Sequence, residues 1–264
     1  MVNRRCIPML GNLLLDSLEA DDRNRLTARI RKLTFRQGDV LTEAGEPIRA
    51  VLFPVSGALS LISQFHNGAA IEAAVVGKEG AVGAFAACGS GTSSCRVVAK
   101  FPGEAWVADA KVFCALHDAS PALRKTLAHY GEILLTEARQ EIGCRSLHSV
   151  EARLARMLLT LSDRAGSAEL PLSQDFLAQL IGVQRTTINS TAKVLREHGG
   201  IRYSRGKITI VNSGALRDYA CGCYEAMQRY RAAMGTALGA PVDRHGGLEA
   251  PVGGQPRPHA SVVR

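Results

Sequence analysis

The sequence predicts an α+β chain, with a β-roll or jelly roll first, a long helix next, and two short helices followed by a hairpin last. Three observations carry this. Between residues 33 and 107, short β-favouring runs alternate with single glycines. From Ser120 onward the apolar residues recur with a helical period instead. Within residues 173–211 two short helical patterns flank Gly182, and two short alternating runs follow a Gly-Gly pair.

The first part contains strand-like runs at 51–55, 58–62, 71–76, 96–101 and 105–107, with turns expected at Gly38, Gly45, Gly57, Gly68 and Gly77. Glycine enters positive φ at little steric cost, and short strands so spaced fit a small antiparallel barrel. Residues 13–31 precede it as helix, with Leu18, Leu26 and Ile30 on roughly one side.

From Ser120-Pro121 to Ile142, Leu123, Leu127, Tyr130 and Leu134 form a 4-3-4 seam along one helix face. That seam fits two surfaces equally well, a copy of itself in a second subunit or the barrel of its own chain. A further amphipathic helix starts at Ser149, a suitable N-cap, with Val150, Leu154, Met157, Leu158 and Leu161 on one face. Residues 216–234 read as helix. The stretch 235–264 carries Pro241, Pro251, Pro256 and Pro258 among many glycines, without a sustained apolar period, and reads as a disordered tail. The expected divisions are therefore 1–119, 120–143, 144–234 and 235–264.

A chain of 264 residues that is 46% hydrophobic can bury a substantial core. Its net charge of +8 is weak evidence of a polyanionic partner, and the location of the charge says more. Residues 173–211 hold six basic side chains (Arg185, Lys193, Arg196, Arg202, Arg205, Lys207) against Asp175 and Glu197. The apolar stretch after Arg4 and Arg5 is short and runs into Glu19, Asp21 and Asp22, so neither a signal peptide nor a membrane helix is expected, and the chain is placed in the cytoplasm without membrane partners. Seven scattered cysteines without a CxxC pair read as reduced, mostly buried thiols, and no metal site is expected.

In the basic segment Ser173 can cap a helix whose Phe176, Leu177 and Leu180 face inward, Gly182 supplies the turn, and Val183 plugs the gap. The second helix, from Gln184 to His198, turns Ile188, Ala192 and Leu195 to the core. Its outward side chains suit reading of the DNA major groove. Arginine bonds guanine at two atoms, and glutamine or asparagine does the same for adenine, so Gln184, Arg185 and Asn189 are the base-reading candidates. Ser173, Thr186, Thr187, Ser190, Lys193, Arg205 and Lys207 are the candidates for backbone contact. The runs 201–203 and 207–211 around Ser204-Arg205-Gly206 form a hairpin wing.

These residues resemble the Crp/Fnr family of transcription regulators. The resemblance covers approximately residues 13–211. It rests on Phe35-Arg36-Gln37-Gly38-Asp39, Gly45-Glu46, Val55-Ser56-Gly57 and, more strongly, on the run from Leu172 to Ile188. It implies a cyclic-nucleotide-binding-like β-roll, a dimerisation helix and a winged helix-turn-helix, acting as a homodimer on double-stranded DNA, with RNA polymerase a candidate second partner. It also places Arg185 on the family's base-reading arginine. Thr186 and Ser190 stand where the best-known members carry a glutamate and a second arginine, so a different operator is implied.

The family's nucleotide cassette has a Gly-Glu pair for the ribose and an Arg before a small residue for the cyclic phosphate. Here Gly83 precedes Ala84, the later stretch reads Thr92-Ser93-Ser94-Cys95, and Arg96 is displaced by a few positions. Losing a charge-assisted phosphate contact weakens such a ligand sharply, so no cyclic AMP binding is expected and the effector is unassigned. Only Cys6 lies where oxygen-sensing members carry a cluster of thiolates, and His66, His117, His129 and His148 are isolated haem candidates, so no cofactor is expected. Cys88 and Cys95 flank a glycine-serine loop and would sense oxidants if their pKa values were depressed. Catalysis is not expected, since the chain lacks Gly-x-Ser-x-Gly, a phosphate loop and a His-x-x-x-His pair.

Overall fold

A computed structural model describes residues 9–204 and 206–237. Cys6, Arg205 and nearly all of the expected tail lie outside the described residues. Two short helices, α1 (Leu13–Asp16) and α2 (Ala20–Thr27), lead into strands β1 (Ile30–Phe35), β2 (Val40–Thr42), β3 (Ala50–Pro54), β4 (Ala58–Gln64) and β5 (Ala70–Val76). After helix α3 (Ala84–Cys88) come β6 (Arg96–Phe101) and β7 (Gly103–Asp109). They form two antiparallel sheets, ordered β1-β7-β3 and β2-β6-β4-β5. The fold is the α+β architecture expected.

Alternation explains how the first sheet is buried on both faces. Leu52 of β3, with Ala105 and Val107 of β7, meets Leu59, Val76, Val97 and Ala99 of the second sheet. Val51 and Phe53, one residue either side of Leu52, point the other way into a cluster with Leu14, Leu15, Phe113 and Leu123. A strand buried on both faces reads as a continuous apolar run, as residues 51–53 do.

Gly38, Gly45, Gly57 and Gly68 adopt positive φ as expected, whereas Gly77 does not. Gly77 is required for a different reason, because a Cβ there would lie 2.6 Å from the carbonyl oxygen of Arg164, at the seam between barrel and helices.

Asp109 caps α4 (Ala110–Ala119), and Ser120 caps α5 (Pro121–Leu147), its hydroxyl accepting from the Leu123 amide. Pro121 opens α5, where its missing N–H costs nothing. At 27 residues α5 extends five beyond the expected end at Ile142. The seam's ambiguity is also resolved: Leu123, Leu127 and Tyr130 are buried against the chain's own β-roll, with Leu134 packed beside them.

Ser149 caps α6 (Val150–Ala165), accepting from the Ala152 amide, and Gly166 closes it in the left-handed region. Then follow β8 (Glu169–Leu170), α7 (Gln174–Ile181), α8 (Arg185–Glu197), β9 (Ile201–Ser204), β10 (Lys207–Ile210), α9 (Ser213–Tyr219) and α10 (Cys223–Ala237). A small antiparallel sheet, β8-β10-β9, forms the wing. One core joins Leu154, Leu158 and Leu161 of α6 to Leu177, Ile188, Leu195 and Ile208, and reaches Ala58, Val75 and Phe101 of the barrel. The barrel and the helical unit are thus packed directly on one another. No described helix is long and apolar enough to cross a membrane.

Candidate nucleic-acid interface and cavity

The helix pair is assembled as its sequence requires. Ser173 accepts a hydrogen bond from the Phe176 amide at 3.1 Å, and Gly182 ends α7 at φ 77°. Ile188, Ala192 and Leu195 are buried, so the opposite side of α8 must face outward. From α6, Arg153 donates to the Ile181 carbonyl oxygen at the C-terminus of α7, tying the pair to the domain core.

Of the base-reading candidates, Gln184, Arg185 and Asn189 are all exposed at the start and outer face of α8. Gln184 is the N-cap residue, leaving its side chain free of a capping bond. Arg185 pairs with Asp175 at 3.2 Å, and both are largely exposed. Such a surface pair contributes about 0–1 kcal/mol and holds the guanidinium only weakly.

Among the backbone candidates, Thr186, Ser190, Lys193 and Lys207 are exposed and Thr187 is half-buried. Lys207 pairs with Glu169 across the wing, and Lys193 with Glu197 at 3.7 Å. Ser190 bonds back to the Thr187 carbonyl oxygen at 2.9 Å, and Ser173 uses its oxygen as a cap, so both hydroxyls already have partners within the fold. Arg205 lies outside the described residues. Asp175 as the partner of Arg185 escaped the sequence reading, because the two meet only across the turn.

A cavity of about 560 Å³ lies between the barrel, α5, α6 and α10. Its barrel end is lined by Val75, Val82, Phe85, Ser93, Cys95 and Leu134. Its far end is charged but internally paired. Arg164 meets Glu79 at 3.1 Å and Glu137 at 2.8 Å, Arg231 meets Glu137, and Arg156 meets Glu141. Arg96 is not in the cavity wall and pairs with Glu43 at 3.2 Å instead.

The expected condition for a thiol oxidant sensor is not met. Burial pushes the Cys88 thiol up to about 12, with the adjacent Cys114 sulfur at 3.2 Å adding to the effect, and burial also raises Cys95. Neither carries the depressed pKa that makes a thiol reactive.

A second feature escaped the sequence reading altogether. Cys144 and His148, one turn apart at the end of α5, meet Cys221 and Cys223 at the entrance to α10. The only local signs were the four-residue spacing of the first two and the Cys-Gly-Cys of the others. No short stretch contains all four.

Residues 32–120 match the cyclic nucleotide-binding domain family, and residues 152–219 match the Crp-like helix-turn-helix domain family. No curated protein matches the chain. Among solved structures, a CRP/FNR-family transcriptional regulator from Thermus thermophilus is 25% identical, with a TM-score of 0.57, over 72% of this chain and 98% of that one. FixK2 from Bradyrhizobium japonicum is 16% identical, with a TM-score of 0.61, over 73% of this chain and 98% of that one. The c-di-GMP responsive global regulator CLP from Xanthomonas campestris is 17% identical, with a TM-score of 0.59, over 74% of this chain and 100% of that one.

Proposed function

Starting from a chain that belongs to the Crp/Fnr family of transcription regulators, we propose that it binds a near-palindromic DNA operator as a homodimer, in the cytoplasm and without catalysing a reaction. The observation that carries this reading is the exposed N-terminal face of α8, where Gln184, Arg185 and Asn189 stand together above a fully buried Ile188. A helix so presented enters a major groove, and two copies would do so about 34 Å apart.

The dimer contact proposed is the outer face of α5. With the Leu123 to Leu134 seam spent on the barrel, Leu135 and Ile142 remain 50% and 68% exposed, one heptad apart. Large apolar side chains repeated at that interval on a 27-residue helix fit the same helix of a second copy.

The effector pocket is read as unsuited to cyclic AMP. Arg96 is engaged by Glu43 outside the cavity, Gly83 has no acidic neighbour in sequence, and the arginines at the far end are held by glutamates.

Arg185→Ala should cost about 1–3 kcal/mol of discrimination at one position in each half-site, whereas Lys207→Ala should weaken all sequences alike and lower the salt slope by about one. Binding titrations on matched and mismatched duplexes at several salt concentrations check both. Unchanged operator choice in Arg185→Ala would remove that residue from the interface.

A further inference from the structure

We propose that Cys144, His148, Cys221 and Cys223 form a closed tetrahedral site for a zinc-class divalent ion that staples the base of the DNA-binding unit to the end of the long helix. One ligand atom from each residue lies within 4.8 Å of all the others. The Cys144 and Cys221 sulfurs are 3.5 Å apart, and Cys223 Sγ is 3.5 Å from His148 Nδ1. A tetrahedral zinc with bonds of about 2.3 Å to sulfur and about 2.0 Å to nitrogen separates its ligands by roughly 3.8 Å and roughly 3.5 Å respectively. The four donors are therefore already near the spacing that one ion imposes.

Burial points to the structural class of site. Cys144, Cys221 and Cys223 are 1%, 8% and 5% exposed and His148 is half-buried, and although Cys223 also borders the cavity, four protein ligands complete a tetrahedral shell. The surroundings suit thiolates. Gln140 Nε2 donates to Cys223 Sγ at 3.0 Å. Arg156 Nε is buried without a hydrogen-bond partner. Three thiolates around a dication leave one net negative charge, which is offset by Arg145 and Arg156 sharing the single carboxylate of Glu141, a group with one net positive charge.

Two rival uses of the cysteines account for less. A Cys144–Cys221 disulfide would leave Cys223 and His148 converging on nothing. An iron-sulfur cluster spreads its ligands over several irons, and four donors within 4.8 Å of one another are too close for that.

The site's place in the chain gives it a consequence. His148 is the first of two extended residues between α5 and α6, Cys221 lies between α9 and α10, and Cys223 opens α10. Everything from α6 to α9, the complete winged helix-turn-helix, is the loop that the ion closes. Metal-ligand bonds then join the α6–α5 ion pairs Arg164–Glu137 and Arg156–Glu141 in fixing its orientation on α5.

The test is metal analysis of the purified full chain, followed by cobalt(II) substitution, and it requires no DNA. The expected result is about one zinc per chain, together with the visible spectrum of tetrahedral thiolate-bound cobalt. Cys144→Ser and Cys223→Ser should lower the zinc to below about a tenth per chain, while Cys95→Ser, outside the cluster, leaves it unchanged. If the first two variants do not fold, the cobalt spectrum of the parent chain decides. Zinc below about a tenth per chain with no such spectrum would overturn the proposal. So would full zinc retention in both variants, stoichiometric iron with sulfide, or a mapped Cys144–Cys221 disulfide in the isolated protein.

Discussion

Lys100→Met should lower the free energy of unfolding by about 3–5 kcal/mol. Lys100 lies on β6 with its side chain 1% exposed, and its ammonium sits 2.8 and 2.7 Å from the two carboxylate oxygens of Glu72 on β5. The Ser60 hydroxyl donates to the same carboxylate, and the ring of Phe176, from α7, lies 4.7 Å from the ammonium. Burial lowers the Lys100 pKa, while the Glu72 carboxylate opposes that shift by favouring the charged form. Removing the ammonium leaves a carboxylate, itself only 11% exposed, with a single hydroxyl for company. The cost therefore comes from the stranded Glu72 more than from the lost attraction. Lys100→Met combined with Glu72→Leu should accordingly recover most of the loss, because an apolar pair of similar volume needs no compensation. Urea unfolding of both variants checks this, and a single-variant loss below about 1 kcal/mol would mean that water reaches the pair.

Leu158→Ala should cost about 2–5 kcal/mol, the range for emptying a well-packed leucine site. Leu158 is fully buried at the centre of α6, in the core that binds α7, α8 and β10 and continues into Val75 and Phe101 of the barrel. Neighbours on several elements cannot all move inward, which favours the upper half of that range. Because one core crosses from barrel to DNA-binding unit, the variant should still unfold in a single transition, with a lower midpoint and an unchanged m-value. Two separated transitions would show that the contact between the two parts is weaker than the shared core implies.

Local features were the ones legible in the sequence. The caps at Ser149 and Ser173, the turn at Gly182, and the inward set of Ile188, Ala192 and Leu195 each depend on residues within one or two turns of one another. The short β-favouring runs punctuated by glycines likewise exposed the barrel. Features that depend on distant chain segments were not legible. Gly77 does open a turn, its carbonyl oxygen accepting from the Gly80 amide at 3.3 Å, but the reason it must be glycine comes from the distant Arg164. The α5 seam had two equivalent partners by pattern, and only packing against Val51 and Phe53 chose between them. Arg185 was found from its position in α8, but Asp175 was not found as its partner. The sulfur cluster was missed because its members lie as far apart as Cys144 and Cys221, joined only once α5 and α10 pack together. Lys100 gave no sign of burial, since a lysine in an alternating strand reads as solvent-facing until the neighbouring domain covers it.

Selection of bound duplexes from random DNA measures sequence-specific binding itself. Two inverted half-sites whose centres lie about one helical turn apart should be enriched, with affinity that falls steeply as salt rises. A confirmed dimer that enriches no motif even at low salt would contradict sequence-specific binding.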